Sequence, residues 1–257
     1  MRIPRLASVA LAPLVLYGCA THPVTIEPEA AAPHGHIAGR SGRAGIVVAA
    51  PHGTSDAQTG DIATEISRRT GFGLVVATGF SIEPDTGERA GRRYQVNRPL
   101  EGVPGVRPAE ERMTAPARAV YEQYERRVRE VSAGPLAFYV EIHGNGRRES
   151  AARIEIATVG VDREYALQFR ALFELTRDAH LRGTPAAPRL SILIEPADAL
   201  FYNASGAKRD GILRVPQRAF HIELPKAARV EWREIYTAIL ADFVNEAARL
   251  RPLRSTR

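Results

Sequence analysis

The sequence predicts an α/β fold, with a mostly parallel or mixed sheet sandwiched between helices, and three observations predict it. Short runs rich in Ile, Val and Ala, of the kind that form strands buried on both faces, recur along the chain. Between them lie longer stretches whose apolar residues follow helical spacing, so strands and helices alternate, which implies crossover connections and parallel neighbours. The region carrying this alternation, residues 43–257, is a little over 200 residues long, enough for one domain with a sizeable core.

Each element follows from its residues. Gly45 to Ala50 is a continuous apolar run and reads as the first strand; Asp61 to Thr70 places Ile62, Ala63 and Ile66 on one helical face before Gly71 stops it. Gly73 to Thr78 is the next strand. A long loop rich in Gly, Asp, Glu, Arg and Pro runs from Phe80 to Arg112, interrupted by Tyr94 to Pro99. Ala115 to Val131 is a helix with Val120, Tyr121, Tyr124 and Val128 on one face, and Leu136 to Ile142 is a third buried strand. Ile154 to Val159, Leu190 to Ile194 and Ala219 to Leu224 are further strands, and Arg163 to Ala179 and Val230 to Leu250 are helices. No second linker and no internal repeat is evident.

The formal net charge is +6 and the pI near 9.8, but the cations are arginines scattered among acids, with only Lys208 and Lys226 as lysine. Such a surface suits anionic envelope polymers better than a nucleic-acid groove, and no nucleic-acid partner is expected. The single cysteine, Cys19, excludes disulfides within the chain.

That cysteine closes an ordered N-terminal pattern. Met1 to Arg5 is basic, Leu6 to Tyr17 is apolar but too short to span a bilayer, and Leu16-Tyr17-Gly18-Cys19 follows. The order resembles a bacterial lipoprotein signal with its lipobox. The resemblance implies that residues 1–18 are removed and Cys19 is lipidated, and Ala20 after it points to the outer membrane, facing the periplasm. Residues 19–42, rich in Pro, Ala, Gly and His without apolar periodicity, read as a flexible tether in which His22, His34 and His36 are solvated.

Two strand ends carry the chemistry. Pro51-His52-Gly53-Thr54-Ser55-Asp56 and Val140-Glu141-Ile142-His143-Gly144-Asn145 each deliver a histidine where an apolar run stops, and Phe220-His221-Ile222-Glu223-Leu224-Pro225 near the end adds a further histidine and a carboxylate. Ligand sites in open α/β sheets gather at the carboxyl ends of strands. Histidine plus carboxylate is also the donor set of a catalytic Zn²⁺ site, which needs about three N/O ligands and an open position. Asp56, four residues past His52, can fold back towards the same metal; Asp61 is the alternative, and Asp56 or Ser55 can equally cap the following helix. Glu223 stands in an otherwise apolar strand, where an ionised carboxylate needs a partner such as Arg229. Glu141 shares the strand face of His143 and serves either as a base or to orient that ring. Neither a G-x-S-x-G elbow nor a phosphate-binding glycine loop is present, which disfavours serine hydrolases and nucleotide enzymes.

The segments PHGTSD, VNRP, VEIHGN and FHIELP, in this order, resemble the N-formylglutamate amidohydrolase branch of the zinc carboxypeptidase-like superfamily over about Ile46 to Leu250. The resemblance implies a phosphorylase/hydrolase-like fold, one Zn²⁺ held by His52, Asp56 and His143, and Glu223 as the general base. It further implies that Asn97 and Arg98 grip a substrate carboxylate, for which a planar guanidinium is apt; Arg147, by its place just after His143-Gly144-Asn145, is a candidate to polarise the scissile carbonyl or stabilise the oxyanion. The departure is His52-x-x-x-Asp56 in place of a carboxypeptidase-type H-x-x-E. The expected activity is hydrolysis of an amide beside a carboxylate, in an N-acyl amino acid, peptide or peptidoglycan stem. The alternative is a non-catalytic envelope lipoprotein that binds peptidoglycan fragments or a protein on a degenerate hydrolase scaffold.

Overall fold

The computed structural model describes residues 30–32, 34–81, 91, 93–102 and 110–250. The elements run β1 (Ala30–Ala32), β2 (Gly35–Arg40), β3 (Arg43–Ala50), α1 (Thr59–Thr70), β4 (Phe72–Thr78), β5 (Glu101–Gly102), β6 (Glu111–Arg112), α2 (Ala115–Ser132) and β7 (Phe138–Gly144). They continue through β8 (Arg153–Val159), α3 (Arg163–Leu181), β9 (Ser191–Ile194), α4 (Ser205–Asp210), β10 (Arg218–Leu224) and α5 (Arg233–Arg249), which a single π-helical turn at Ala227–Glu231 precedes.

One sheet takes the order β1-β2-β4-β3-β7-β10-β8-β9. Its centre, β4, β3, β7 and β10, is parallel, whereas β2 joins β4 and β8 joins β10 antiparallel, so the sheet is mixed around a parallel middle. β5 and β6 form a separate short hairpin. Helix ends follow local chemistry: the Thr114 hydroxyl accepts from Ala117 N at the start of α2, and Asp162 accepts from Tyr165 N at the start of α3. Gly71 closes α1 in the left-handed conformation that glycine adopts freely.

Because successive strand residues point to opposite faces, the sheet has two differently built sides. On one, Val48, Phe138, Val140, Ile142, Ile154, Ile156, Phe220 and Ile222 pack against α1, α3 and α5. The Phe220 ring meets Phe138, Phe169 and Phe243 at centroid distances of 5.0, 4.9 and 5.8 Å. On the other, Val47, Ala49, Val75, Ala77, Tyr139 and Ala219 pack against Val120, Tyr124, Val128 and Val131 of α2, and the Tyr124 and Tyr139 hydroxyls meet at 2.7 Å.

The structure corrects the tether boundary. Gly35–Arg40 pairs with β4 from Thr78 to Leu74, and Ile37 is fully buried, so the domain begins before residue 43. The strand escaped notice because Ile37 is its one large apolar residue and Gly39 lies where a Cβ would collide with Arg127 and Val131 of α2. His34 is likewise not a free arm residue, since its ring lies 4.8 Å from that of Tyr94. The signal-peptide and lipidation readings, Cys19 and His22 included, lie outside the described residues.

Candidate metal centre

His52, Asp56, His143, His221 and Glu223 line one cleft of about 450 Å³ at the carboxyl ends of β3, β7 and β10. The turn after β3 is tight: Asp56 N donates to His52 O at 2.8 Å, and Gly53 N to Ala77 O at 2.9 Å. That turn returns the Asp56 carboxylate to the histidine four residues earlier, where its Oδ2 also accepts from Gly144 N at 3.2 Å. The α1 N-cap is Gln58, which makes no side-chain capping bond, so Asp56 is not a cap. Asp61 is exposed and pairs with Arg233 at 3.0 Å, away from the histidines.

Three donor atoms converge. His52 Nδ1 and His143 Nδ1 are 3.2 Å apart, and each faces Asp56 Oδ2, at 3.3 and 3.4 Å. The remaining ring nitrogens face acceptors: His52 Nε2 lies 3.1 Å from the Gln95 carbonyl oxygen and His143 Nε2 lies 3.3 Å from Glu141 Oε2. The Gln95 carbonyl demands a hydrogen on His52 Nε2, and the charge of Glu141 favours the same placement on His143, whose Nε2 makes no hydrogen bond among the described residues. Two Nδ1 lone pairs and a carboxylate oxygen then point at one another, an arrangement that repels unless a cation lies between them. In a protein without metal that cation is a proton. Burial disfavours a charged His143, but its interactions with Asp56 and Glu141 and the charges of Glu141 and Glu223 outweigh it and push its pKa up to about 10. Burial likewise opposes an ionised Asp56, and the hydrogen bonds and charges of His143 and His52 nevertheless hold it well below the usual carboxylate range.

The triangle also fits a divalent ion. Tetrahedral Zn²⁺ with bonds of about 2.0–2.1 Å separates its ligand atoms by about 3.3–3.4 Å. Glu141, His143 and His221 form a second cluster of potential donors. Both Glu141 oxygens are already engaged, however: Oε2 accepts from Asn97 Nδ2 at 3.1 Å and Oε1 faces His221 Nδ1 at 3.0 Å. Glu141 is also fully buried, so a metal there would have no open position; its geometry is that of a carboxylate orienting the histidine rings beside it. Burial opposes its charge, yet hydrogen bonds to His143 and His221 hold it below the ordinary range.

Glu223 pairs in register with His143 on the neighbouring strand. Its Oε1 faces His221 Nε2 at 3.1 Å, while its buried Oε2 has no hydrogen-bond partner among the described residues. Its partner is therefore His221 and not Arg229, whose guanidinium bonds the Ala57 and Asn145 carbonyls. The His221 ring stacks on that of His143 with centroids 4.1 Å apart.

The arginines and Asn97 lie otherwise than the motif reading implied. Asn97 is fully buried with its amide on Glu141, so it supports the centre from beneath and does not face a substrate. Arg98 does line the cleft, but its guanidinium forks onto Glu111, with Nε donating to Oε2 at 3.1 Å and Nη2 donating to Oε1. Arg147 is exposed and lies 3.7 Å over the Phe201 ring at the rim, engaged with an aromatic and not aimed at the converging donors. Phe201 and Tyr202 line the cleft, and their backbone N–H groups are held at 2.8 and 3.0 Å by Oε2 of the buried Glu155.

Sequence reasoning did not assign roles to His221, Glu111, Gln95, Glu155 or the Phe201–Tyr202 pair. His221 was discoverable, because it stands two residues before Glu223 and shares its strand face. Glu111 reaches Arg98 only through a hairpin, and nothing in the sequence marks it.

No protein-family model matches the chain, and no curated protein matches it significantly. Among solved structures it is similar to a bacteriophage poly-gamma-glutamate hydrolase, at 10% identity over 84% of this chain and 89% of that one, with a TM-score of 0.46. Zinc-free YndL gives 11% identity over 85% and 92%, with a TM-score of 0.49. A metallo-carboxypeptidase from Burkholderia cenocepacia gives 10% over 83% and 60%, with a TM-score of 0.41. These likenesses concern the α/β fold alone.

Proposed function

We propose that this chain is a zinc-dependent hydrolase that cleaves an amide bond next to a carboxylate, in an N-acyl amino acid, a peptide or a peptidoglycan stem. The observation that carries the reading is the meeting of His52 Nδ1, His143 Nδ1 and Asp56 Oδ2 at 3.2–3.4 Å, with His52 Nε2 turned to the Gln95 carbonyl and His143 Nε2 turned to the Glu141 carboxylate. A zinc ion held by these three groups supplies Lewis acidity and lowers the pKa of water.

The protein's own groups then divide the work. Glu223 Oε2, buried and unpartnered, is the acceptor for a proton leaving the attacking water and the donor of it to the departing amine. His221 holds the opposite oxygen, fixing the carboxylate. Glu141 and the Gln95 carbonyl fix the two ligand rings, and Asn97 fixes Glu141. Arg98 offers a planar fork to the substrate carboxylate. The resemblance of the four motifs to the N-formylglutamate amidohydrolase branch supports the same reading. We place the enzyme at the bacterial outer membrane, held by lipid on Cys19, on the strength of the N-terminal pattern; among the described residues no helix is long and apolar enough to cross a membrane.

The test is metal analysis followed by an activity screen. Wild-type chain should bind about one zinc, and the His52→Ala/His143→Ala double variant none. Stoichiometric zinc in the double variant would sink the site, and zinc-loaded wild type that cleaves no acyl amino acid or stem peptide would turn the reading towards a binding lipoprotein.

A further inference from the structure

The fork of Arg98 is already filled. Glu111 meets it with both carboxylate oxygens, and the pair is three-quarters buried, with side-chain exposures of 19% and 27%. The site around Arg98 is built for it: Nη1 donates to Asn97 Oδ1 at 3.4 Å, and Gly206 runs so close that a Cβ there would stand 3.1 Å from Arg98 Cδ. Glu111 comes from the β5–β6 hairpin, 13 residues along the chain, and both partners line the same cleft as the converging histidines. A carboxylate–guanidinium fork is the interaction that a substrate carboxylate would make.

We propose that Glu111 is a specificity-determining residue that acts as an internal competitor for the carboxylate subsite, an inference that rests on Arg98 binding substrate as proposed above. A group tethered on the same chain presents itself at an effective concentration in the millimolar range. A simple carboxylate or other small anion therefore loses to it. A ligand with a second anchor at the metal centre gains the extra binding energy needed to displace Glu111 from Arg98. The device rejects ligands that offer a charge and nothing else, which is specificity by competition and not by added attraction. Its cost is that every accepted ligand binds more weakly than the open subsite would allow.

The test uses the zinc-loaded full chain and titration calorimetry with two probes, glutarate and its uncharged analogue glutaramide. Glu111→Gln should bind glutarate about tenfold or more tightly than wild type, with glutaramide unchanged, and adding Arg98→Lys should abolish the gain. Glu111→Asp, which keeps the charge on a shorter arm, should give a smaller gain and guards against a fold defect in the first variant. Unchanged or weaker glutarate binding in both Glu111 variants, with wild type still preferring glutarate to glutaramide, would overturn the competitor role and leave the Arg98 subsite standing. No preference for glutarate in any variant would remove the subsite and this inference together.

Discussion

β7 and β10 each do two jobs, one per face. Phe138, Val140 and Ile142, with Phe220, Ile222 and Leu224, face three helices and are buried without a polar atom among their side chains. One residue along, Tyr139, Glu141 and His143, with Ala219, His221 and Glu223, face the other way. There α2, with Ala207, Ile212 and Leu213, covers the sheet near Tyr139, and the carboxyl ends beyond it hold the ionisable groups of the cleft. The apolar side is sensitive to changes of volume, because its energy lies in packing. The polar side is held by a chain of hydrogen bonds in which each group fixes the next, and its energy lies in charges brought together. The two sides should therefore fail differently when altered.

The sharpest break of that comparison is Phe220→Ala. It should cost about 3–5 kcal/mol of unfolding free energy in denaturant titrations, with zinc per folded chain unchanged. Loss of zinc from the folded variant would show that the two faces are not separable. On the opposite face, Glu223→Gln should leave zinc bound and lower turnover by roughly 10²-fold, equivalent to about 2.7 kcal/mol of transition-state stabilisation. Wild-type turnover would remove Glu223 as the base. Glu141→Gln should weaken zinc binding by about 10–100-fold, because the carboxylate that orients His143 is lost; competition with a chelator reads this directly. The smallest effect belongs to the rim. Arg147→Ala should change stability by only about 0.5–1 kcal/mol, the worth of an exposed cation over an aromatic ring, and should leave zinc affinity alone.

The apolar face was the more legible of the two. The runs of β3, β4, β7 and β10 and the helical spacing of α2 and α3 announce themselves because burial on both sides of a strand, or on one side of a helix, imposes a period on the residues. β2 imposed none, since Gly39 and Ala38 leave Ile37 alone. His52 and His143 were legible because each polar residue interrupts an apolar run just before glycine. Which nitrogen faces which acceptor was not, as it depends on Gln95 and Glu141, and Gln95 lies 43 residues from its histidine. Asn97 shows the opposite failure: a motif supplied a substrate contact where the chain places a buried amide under the centre. Arg98 was expected to grip a substrate carboxylate; in the structure its fork meets Glu111, which comes from a hairpin with no apolar signature.

The claim that two Nδ1 lone pairs and one carboxylate oxygen need a cation is tested most directly by counting protons as zinc binds. His143 is raised to about 10 in the metal-free protein, so at pH 8 its Nδ1 carries a proton that zinc must displace. Calorimetry in buffers of different ionisation enthalpy should find about one proton released per zinc at pH 8, and an affinity that rises about tenfold per pH unit up to the His143 pKa, beyond which the dependence flattens. Zinc binding at pH 8 without proton release, or no stoichiometric binding at all, would contradict the account.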